Sequence, residues 1–410
     1  MLSLLLPLLL SHPTTASEIC TPYPPPYPTS QNLTTCLDSL ISSSTPLTPW
    51  THLPHCIYAD QSPHCVYTNA FHSISIITTP DEASTSLNLL SHSINPPFFA
   101  PKKIYPIKPY KVVSIPGKGK GAVATRRIQK GMAILVDTAS ILAQAEYPAD
   151  VTREEVQDLM GAAVGRLRDG GEGVRALSRK GRSEEEDDEL EDILLNNSFA
   201  VVLGGKNYMG LFVDVARFNH DCRPNAFIHF SETTFAMTIW AAKDIEEGEE
   251  ITITYSAAGM LTEERQQTLE KVWGFKCKCS LCTASPSIQA KSDSNRKEIR
   301  HLQDQVGQLA QKGKYHEALK SAERMFELIE TEGLTDQMGD MYEVPARLYY
   351  LVGNLEKALE YTLKVQNELQ GYGVPGKFGM EKLRMLDGFI KKIERGLKRK
   401  RKAKEGRGKK

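Results

Sequence analysis

The chain has 410 residues, enough for two or three domains, and a formal net charge of zero from 50 Lys and Arg against 50 Asp and Glu. With 40% hydrophobic and 24% charged residues it reads as a soluble globular protein rather than a disordered or membrane-embedded chain. The charges are segregated: Ser183-Glu184-Glu185-Glu186-Asp187-Asp188-Glu189 is an acidic run and Lys398-Arg399-Lys400-Arg401-Lys402 opens a basic tail, each reading most plainly as a solvated segment.

Met1 to Leu10 is Leu-rich and is followed by small and polar residues up to Ser17. Residues 1–17 therefore read as a secretory signal-like segment, too short to span a bilayer, with a mispredicted start or a buried N-terminal segment as the alternatives. No other stretch is a transmembrane candidate. Residues 18–107 are rich in Pro, Ser and Thr and carry Cys20, Cys36, Cys56 and Cys65. An even number of cysteines behind such a start favours disulfides, in one of three connectivities. Asn32-Leu33-Thr34 is a glycosylation sequon that suits the same compartment. Cys65-Val66-Tyr67 and Ile74-Ser75-Ile76-Ile77 read as short strands.

From residue 108 the pattern changes. Lys111-Val112-Val113-Ser114-Ile115 reads as a strand, Pro116 to Gly121 as a glycine loop, and Ala122-Val123-Ala124-Thr125-Arg126 as a returning strand. Strand–loop–strand without a following helix argues against a dinucleotide fold or a P-loop, which both place phosphate on a helix N-terminus. The loop serves either a tight hairpin or close approach of its backbone to another group. Ala133-Ile134-Leu135-Val136 makes a third strand, and residues 140–205 read as a helical insertion. Strands follow at 235–240 and 251–255, then a short helix over 263–272.

Between apolar flanks lies the polar cluster Asn219-His220-Asp221-Cys222-Arg223-Pro224-Asn225, whose groups must satisfy one another or serve a ligand. Cys277, Cys279 and Cys282 have zinc-knuckle spacing, and Cys222 is the remaining cysteine of this half of the chain. A four-thiolate zinc site is favoured because Cys277 and Cys279 are too close for both to be routinely bridged; two disulfides or four unconnected thiols are the alternatives. Beyond residue 295 the pattern is helical. Gly313-Lys314-Tyr315-His316-Glu317-Ala318-Leu319 recurs loosely as Gly353-Asn354-Leu355-Glu356-Lys357-Ala358-Leu359, resembling tetratricopeptide repeats at a longer period. Two copies are too few for a free-standing solenoid, so this region is expected to pack on the preceding domain.

The glycine loop, the Asn-His-x-Cys-x-Pro-Asn element, Gly248-Glu249-Glu250-Ile251-Thr252-Ile253-Thr254-Tyr255 and the cysteine cluster together resemble the SET-domain protein-lysine methyltransferases. The resemblance runs from about residue 108 to 283. It is nearest the SET-and-MYND branch but lacks the MYND finger, and is similar to fungal SET proteins with a signal-like N-terminus. It implies an α+β, β-rich SET fold over 108–257, a post-SET cysteine segment over 258–284, an all-α TPR-like region over 295–395 and a basic tail over 396–410.

The resemblance further implies S-adenosylmethionine as cofactor, held by Lys118, Gly119, Lys120, Gly121, Asn219, His220 and Tyr255, with Phe275 packed on adenine. Tyr255 is the implied catalytic residue, orienting the methyl group and the incoming lysine amine. Cys222, Cys277, Cys279 and Cys282 would hold a structural zinc. Transfer to a protein lysine is a direct displacement, so alignment matters most, and the amine must arrive neutral. Asp221 stands where the family usually has Ser, and Arg217 and Phe218 also depart from the residues typical of active members. The alternative function is a catalytically silent SET module whose helical C-terminus binds a peptide partner. Compartment is in conflict: the N-terminus points to the secretory route, whereas the basic tail would suit a nuclear signal or a nucleic-acid patch, its plain reading being a solubilising tail.

Overall fold

The computed structural model describes residues 50–59, 62–84, 107–179, 189–257, 259–334, 342–371 and 377–407. The signal-like segment, the sequon at Asn32, Cys20, Cys36, Ser183 to Asp188 of the acidic run and the final Lys409-Lys410 lie outside the described residues.

The apolar runs expected as strands are β2 (Ser62–Asn69) and β3 (Ile74–Thr78), preceded by β1 (His55–Ala59). β3 is buried along its whole length because successive side chains point to opposite faces and both faces are covered. Val66 and Ile77 pack with Leu159, Ala163 and Val164 of helix α1 (Arg153–Gly165), whereas Tyr67, Ile74 and Ile76 enter the main core with Leu142, Tyr208 and Phe212. Each such Ile or Val contributes roughly 1.5–3 kcal/mol by leaving water. Thr152 caps α1 in a capping box with Glu155.

These strands are joined to the region beyond residue 107 in a single sheet. β3 runs parallel to β7 (Ile141–Gln144), and the sheet continues to β9 (Lys206–Leu211) and β8 (Ser198–Leu203), giving the order β1-β2-β3-β7-β9-β8. The insertion expected to be helical over 140–205 is helical only in its middle, as α1, the single turn α2 (Glu172–Arg175) and α3 (Glu189–Asn197). Its two ends are the strands β7 and β8, whose apolar residues join the main sheet.

A second sheet has the order β10-β13-β5-β4, formed by β4 (Tyr110–Ile115), β5 (Gly119–Ala124), β10 (Asn219–His220) and β13 (Glu250–Ile253). A third joins β6 (Ala133–Thr138), β12 (Ala236–Ala241) and β11 (Ala226–Ser231) in antiparallel order. The two-residue β10 pairs parallel to β13, Asn219 with Thr252 and His220 with Ile253. That pairing decides where the polar cluster sits.

Helix α4 (Thr262–Trp273) leads into the cysteine segment, and the C-terminal part is all helical: α5 (Pro286–Gln311), α6 (Tyr315–Glu332), α7 (Glu343–Leu351), α8 (Leu355–Gly371) and α9 (Lys377–Arg407). The 40-residue recurrence seen in sequence corresponds to two turns of one geometry. Gly313 and Gly353 adopt φ +72° and +79°; Lys314 N–H reaches the Leu309 carbonyl and Asn354 N–H the Tyr349 carbonyl, each at 2.9 Å. Ala318 and Ala358 then occupy equivalent, fully buried packing positions. The described part of the basic tail continues α9 rather than forming a separate segment.

Candidate active site

The polar cluster is placed by the segment before it. Asp137 Oδ2 accepts the backbone N–H groups of Asp214 at 2.7 Å and Val215 at 3.0 Å, anchoring the 3-10 turn Val215–Arg217 that feeds β10. Burial pushes the Asp137 carboxyl up to about 6, against the opposing pull of these two N–H donors.

Asn219 Nδ2 donates to Glu250 Oε1 at 3.0 Å, and Lys118 Nζ donates to Glu250 Oε2 at 2.6 Å. The glycine loop serves both purposes that the sequence left open. Gly119 takes φ +72° with open space around it, as the hairpin turn requires. At Gly121 a Cβ would stand 2.4 Å from Ile115 Cδ1 and 2.5 Å from Asn219 Nδ2, so a larger residue there would displace those side chains. Lys120 lies on β5 between them with its side chain exposed.

Tyr255 follows β13 by two residues and is held at both ends. Its backbone N–H donates to His220 Nδ1 at 3.0 Å, and its hydroxyl donates to the Phe218 carbonyl at 2.8 Å. Because Nδ1 accepts, the His220 proton resides on Nε2, which lies 3.4 Å from Cys222 Sγ. Burial lowers His220 to about 4, keeping the ring neutral at physiological pH. Burial also raises the Tyr255 phenol, with the Glu250 charge adding to it, so the hydroxyl stays protonated. The Tyr255 ring lies 5.5 Å from His220, 5.2 Å from Trp273 and 6.4 Å from Phe275; Phe275 lies 6.3 Å from His220.

The Sγ atoms of Cys222, Cys277, Cys279 and Cys282 all lie within 4.8 Å of one another. Cys222 Sγ is 3.9 Å from Cys277 and 3.6 Å from Cys282. Four sulfurs bound tetrahedrally at the usual zinc–thiolate length would stand about 3.8 Å apart, so the donor set fits a metal ion of that kind. All four are free thiols, and the cysteine expected from elimination, Cys222, completes the group. Gln266 of α4 holds the segment from outside, donating to the Cys277 carbonyl and accepting the Cys277 N–H, both at 2.9 Å. Among the early cysteines, Cys56 and Cys65 are opposed across β1 and β2 and form a disulfide.

Asp221, which stands where the family usually has Ser, bonds to backbone groups on both sides. Its Oδ1 accepts the backbone N–H of Arg223 at 2.8 Å, and its own N–H donates to the Ile253 carbonyl at 2.9 Å. Arg217 donates to the Ala176 carbonyl and Arg223 to Glu332, each at 3.0 Å. Burial pushes the Asp221 carboxyl up to about 6. At the far end of the motif Asn225 ties the loop to β13: Nδ2 donates to the Glu250 carbonyl at 2.8 Å and Oδ1 accepts the Thr252 N–H at 2.8 Å.

The structure thus brings together Lys118, Gly121, Asn219, His220, Tyr255 and Phe275, with the four cysteines adjoining them through His220 and the rings of Tyr255 and Phe275. Sequence reading missed Glu250, the hub between Lys118 and Asn219, because its partners lie 132 and 31 residues away along the chain. It also missed Trp273, although that residue lies two positions from Phe275.

Residues 119–256 match the SET domain family. Relatives include histone-lysine N-methyltransferase set5 of Schizosaccharomyces pombe, 30% identical over 208 residues, covering 48% of this chain and 57% of that protein. Mouse histone-lysine N-methyltransferase Smyd1 is 26% identical over 207 residues, covering 45% and 39% of the two chains. Human histone-lysine N-methyltransferase SMYD3 is 38% identical over 74 residues, covering 18% and 17%. The chain spans little more than half the length of the first of these and less of the others. The matched residues take in the Gly121–Asn219–Tyr255 arrangement whole: the chain carries a SET domain and is related to the SET5 and SET-and-MYND methyltransferases.

Proposed function

We propose that the chain transfers a methyl group from S-adenosylmethionine to a lysine side chain of a protein substrate. The observation that carries this reading is the convergence of Gly121, Asn219, His220 and Tyr255, with Asn219 packed against the Gly121 backbone and His220 holding the Tyr255 N–H. Lys118, Gly119, Lys120, Gly121, Asn219 and His220 would hold the cofactor's polar end, with Phe275 beside its adenine. Bound there, the cofactor supplies an electrophilic methyl group for direct displacement. The chain's own contribution is alignment and exclusion of water. Tyr255 is fixed through Phe218 and His220, so its oxygen has one position, and its protonated hydroxyl serves orientation rather than proton abstraction. The rings of Tyr255, Trp273 and Phe275 form an apolar wall that disfavours an ammonium, so a lysine amine entering there is driven towards its neutral, nucleophilic form. His220, kept neutral, adds no opposing positive charge.

The four thiols are assigned to a structural zinc, which would tie Cys222 in the motif to the segment carrying Phe275. The names of the relatives support a protein lysine as acceptor. The test is calorimetric titration of zinc-loaded full-length protein with S-adenosylmethionine, followed by radiolabelled methyl transfer to lysine peptides. Binding and transfer are expected. A zinc-loaded chain that takes up no cofactor would leave the silent module, with the paired C-terminal helices as its interaction surface. The Cys56–Cys65 disulfide supports an oxidising compartment, in keeping with the signal-like start. Sequencing the N-terminus of the native protein tests this, with a start near Ser17 expected and an intact Met1 against it.

A further inference from the structure

Glu332 ends α6, where the helix macrodipole disfavours an anion, and it is 1% exposed. Four side chains compensate. Ser292 Oγ at 2.6 Å, Asn295 Nδ2 at 2.9 Å and Arg296 Nε at 3.3 Å donate from α5, and Arg223 Nη2 donates at 3.0 Å from the polar motif. Burial alone would push the Glu332 carboxyl up; the bonds from Ser292, Asn295 and Arg223 prevail and hold it below its ordinary value. Arg296, also 1% exposed, turns its Nη2 to the Cys222 carbonyl at 3.1 Å. A closed ring results: Cys222 carbonyl, Arg296, Glu332, Arg223, and back along the chain to Cys222.

Packing of α5 on α6 accounts for only part of this ring. It would be served as well by apolar side chains, which often replace buried ion pairs without loss of stability. The two remaining links leave the helical region and end on adjacent residues of the motif, Cys222 and Arg223. Two positions earlier stands His220, which holds the Tyr255 backbone, and beside it Asn219, which faces Gly121. Residues 221, 222 and 223 are each pinned by a different group: Asp221 to Ile253, Cys222 to Arg296 and Arg223 to Glu332.

We propose that Glu332 is a positioning residue through which the helical C-terminal region fixes Cys222, and with it the placement of Asn219 and His220 at the cofactor site. The effect on cofactor rests on the function proposed above; the effect on metal does not.

The test uses zinc-loaded full-length protein and the variants Glu332→Gln, Arg223→Met and both together. Each single variant is expected to weaken S-adenosylmethionine binding and raise its KM about tenfold, leave kcat within about twofold, and speed zinc release to excess chelator about tenfold; the double variant is no worse than Glu332→Gln alone, because the link that Arg223→Met cuts is one of the two that Glu332 anchors. Unchanged cofactor affinity and zinc release, with only a lower Tm, would overturn the proposal, as would fully additive losses. Should Glu332→Gln fail to fold, Arg223→Met decides, since its side chain is 36% exposed. A parent protein that binds no cofactor would defeat the enzymatic reading alone, and zinc release would still decide this one.

Discussion

Gly121 and Asn219 face each other so closely that a Cβ on the first would stand 2.5 Å from the amide nitrogen of the second. Asn219 cannot retreat freely, because its amide is committed to Glu250 and its backbone to β13. Gly121→Ala is therefore expected to displace the Asn219 side chain and weaken S-adenosylmethionine binding by at least about tenfold, with roughly 1–3 kcal/mol lost from overpacking. Calorimetry and denaturant unfolding on the same preparation check both effects. Gly119→Ala is the contrasting case: it strains the turn at φ +72° but meets open space, so stability should suffer more than affinity.

Tyr255→Phe removes one hydroxyl and leaves the aromatic contacts with Trp273 and His220 in place. The expected result is a fall in kcat of about two orders of magnitude, the scale seen when one positioned donor is removed from a reaction centre. Cofactor affinity should stay within a few-fold, while the unpaired Phe218 carbonyl costs roughly 1 kcal/mol of stability. Single-turnover kinetics beside equilibrium binding separates these, and a matching loss of affinity would contradict the assigned role.

Metal analysis of the purified chain should find zinc, and its removal should act on fold and site together. Chelation is expected to expose the thiols of Cys222, Cys277, Cys279 and Cys282 to a thiol reagent and to lower Tm by several degrees, because metal binding is linked to folding. Cys56 and Cys65, joined to each other, should remain unreactive. Cys282→Ser should reproduce the effect of chelation. Thiols that react as readily before chelation as after it would contradict a four-cysteine metal site.

Asp137 gives a pH dependence with a definite sign. Its carboxyl ordinarily titrates near 3.8, and burial raises it to about 6 in the fold, so the folded state holds its proton more tightly than the unfolded chain. The stabilising contribution is complete below about pH 4 and is lost as pH rises through about 6. Asp137→Asn keeps an oxygen for the Asp214 and Val215 N–H groups while removing the charge. The variant should be more stable than the parent by roughly 1–3 kcal/mol above pH 6, with the difference closing below pH 4. Urea unfolding across pH 4–8 measures it, and a constant offset would mean that the charge is not the cause.

How far the sequence could be read depended on whether neighbours along the chain decided the outcome. Val66 and Ile77, or the Ala318 and Ala358 pair, announce their environment by spacing alone, since period 2 and period 3.6 are set by backbone geometry. The cysteine cluster was legible because Cys277, Cys279 and Cys282 lie within one short segment whose ligand spacing is itself the signal. Glu250, Trp273 and Glu332 carried no such mark. Each matters through a partner more than 15 residues away: Glu250 through Asn219 and Lys118, Trp273 through Tyr255, Glu332 through Arg223.

By itself the sequence determined most strands flanking the glycine loop and the polar cluster, the paired helices, the loop itself and the chemical character of that cluster, all consequences of local periodicity and residue type. It did not show β1, nor β7 and β8 at the ends of the stretch read as helical. The tertiary structure alone decided that β10 lies parallel to β13, which sets Asn219 against Gly121 and His220 against Tyr255. It also decided that the Asp221 carboxylate turns to the Arg223 backbone, and that a buried carboxylate from the helical region reaches the same loop. A two-residue strand has too few hydrogen bonds to specify its own partner, and a carboxylate takes whichever donors the fold presents. Those outcomes belong to long-range packing, where side chains far apart in sequence compete for the same few positions.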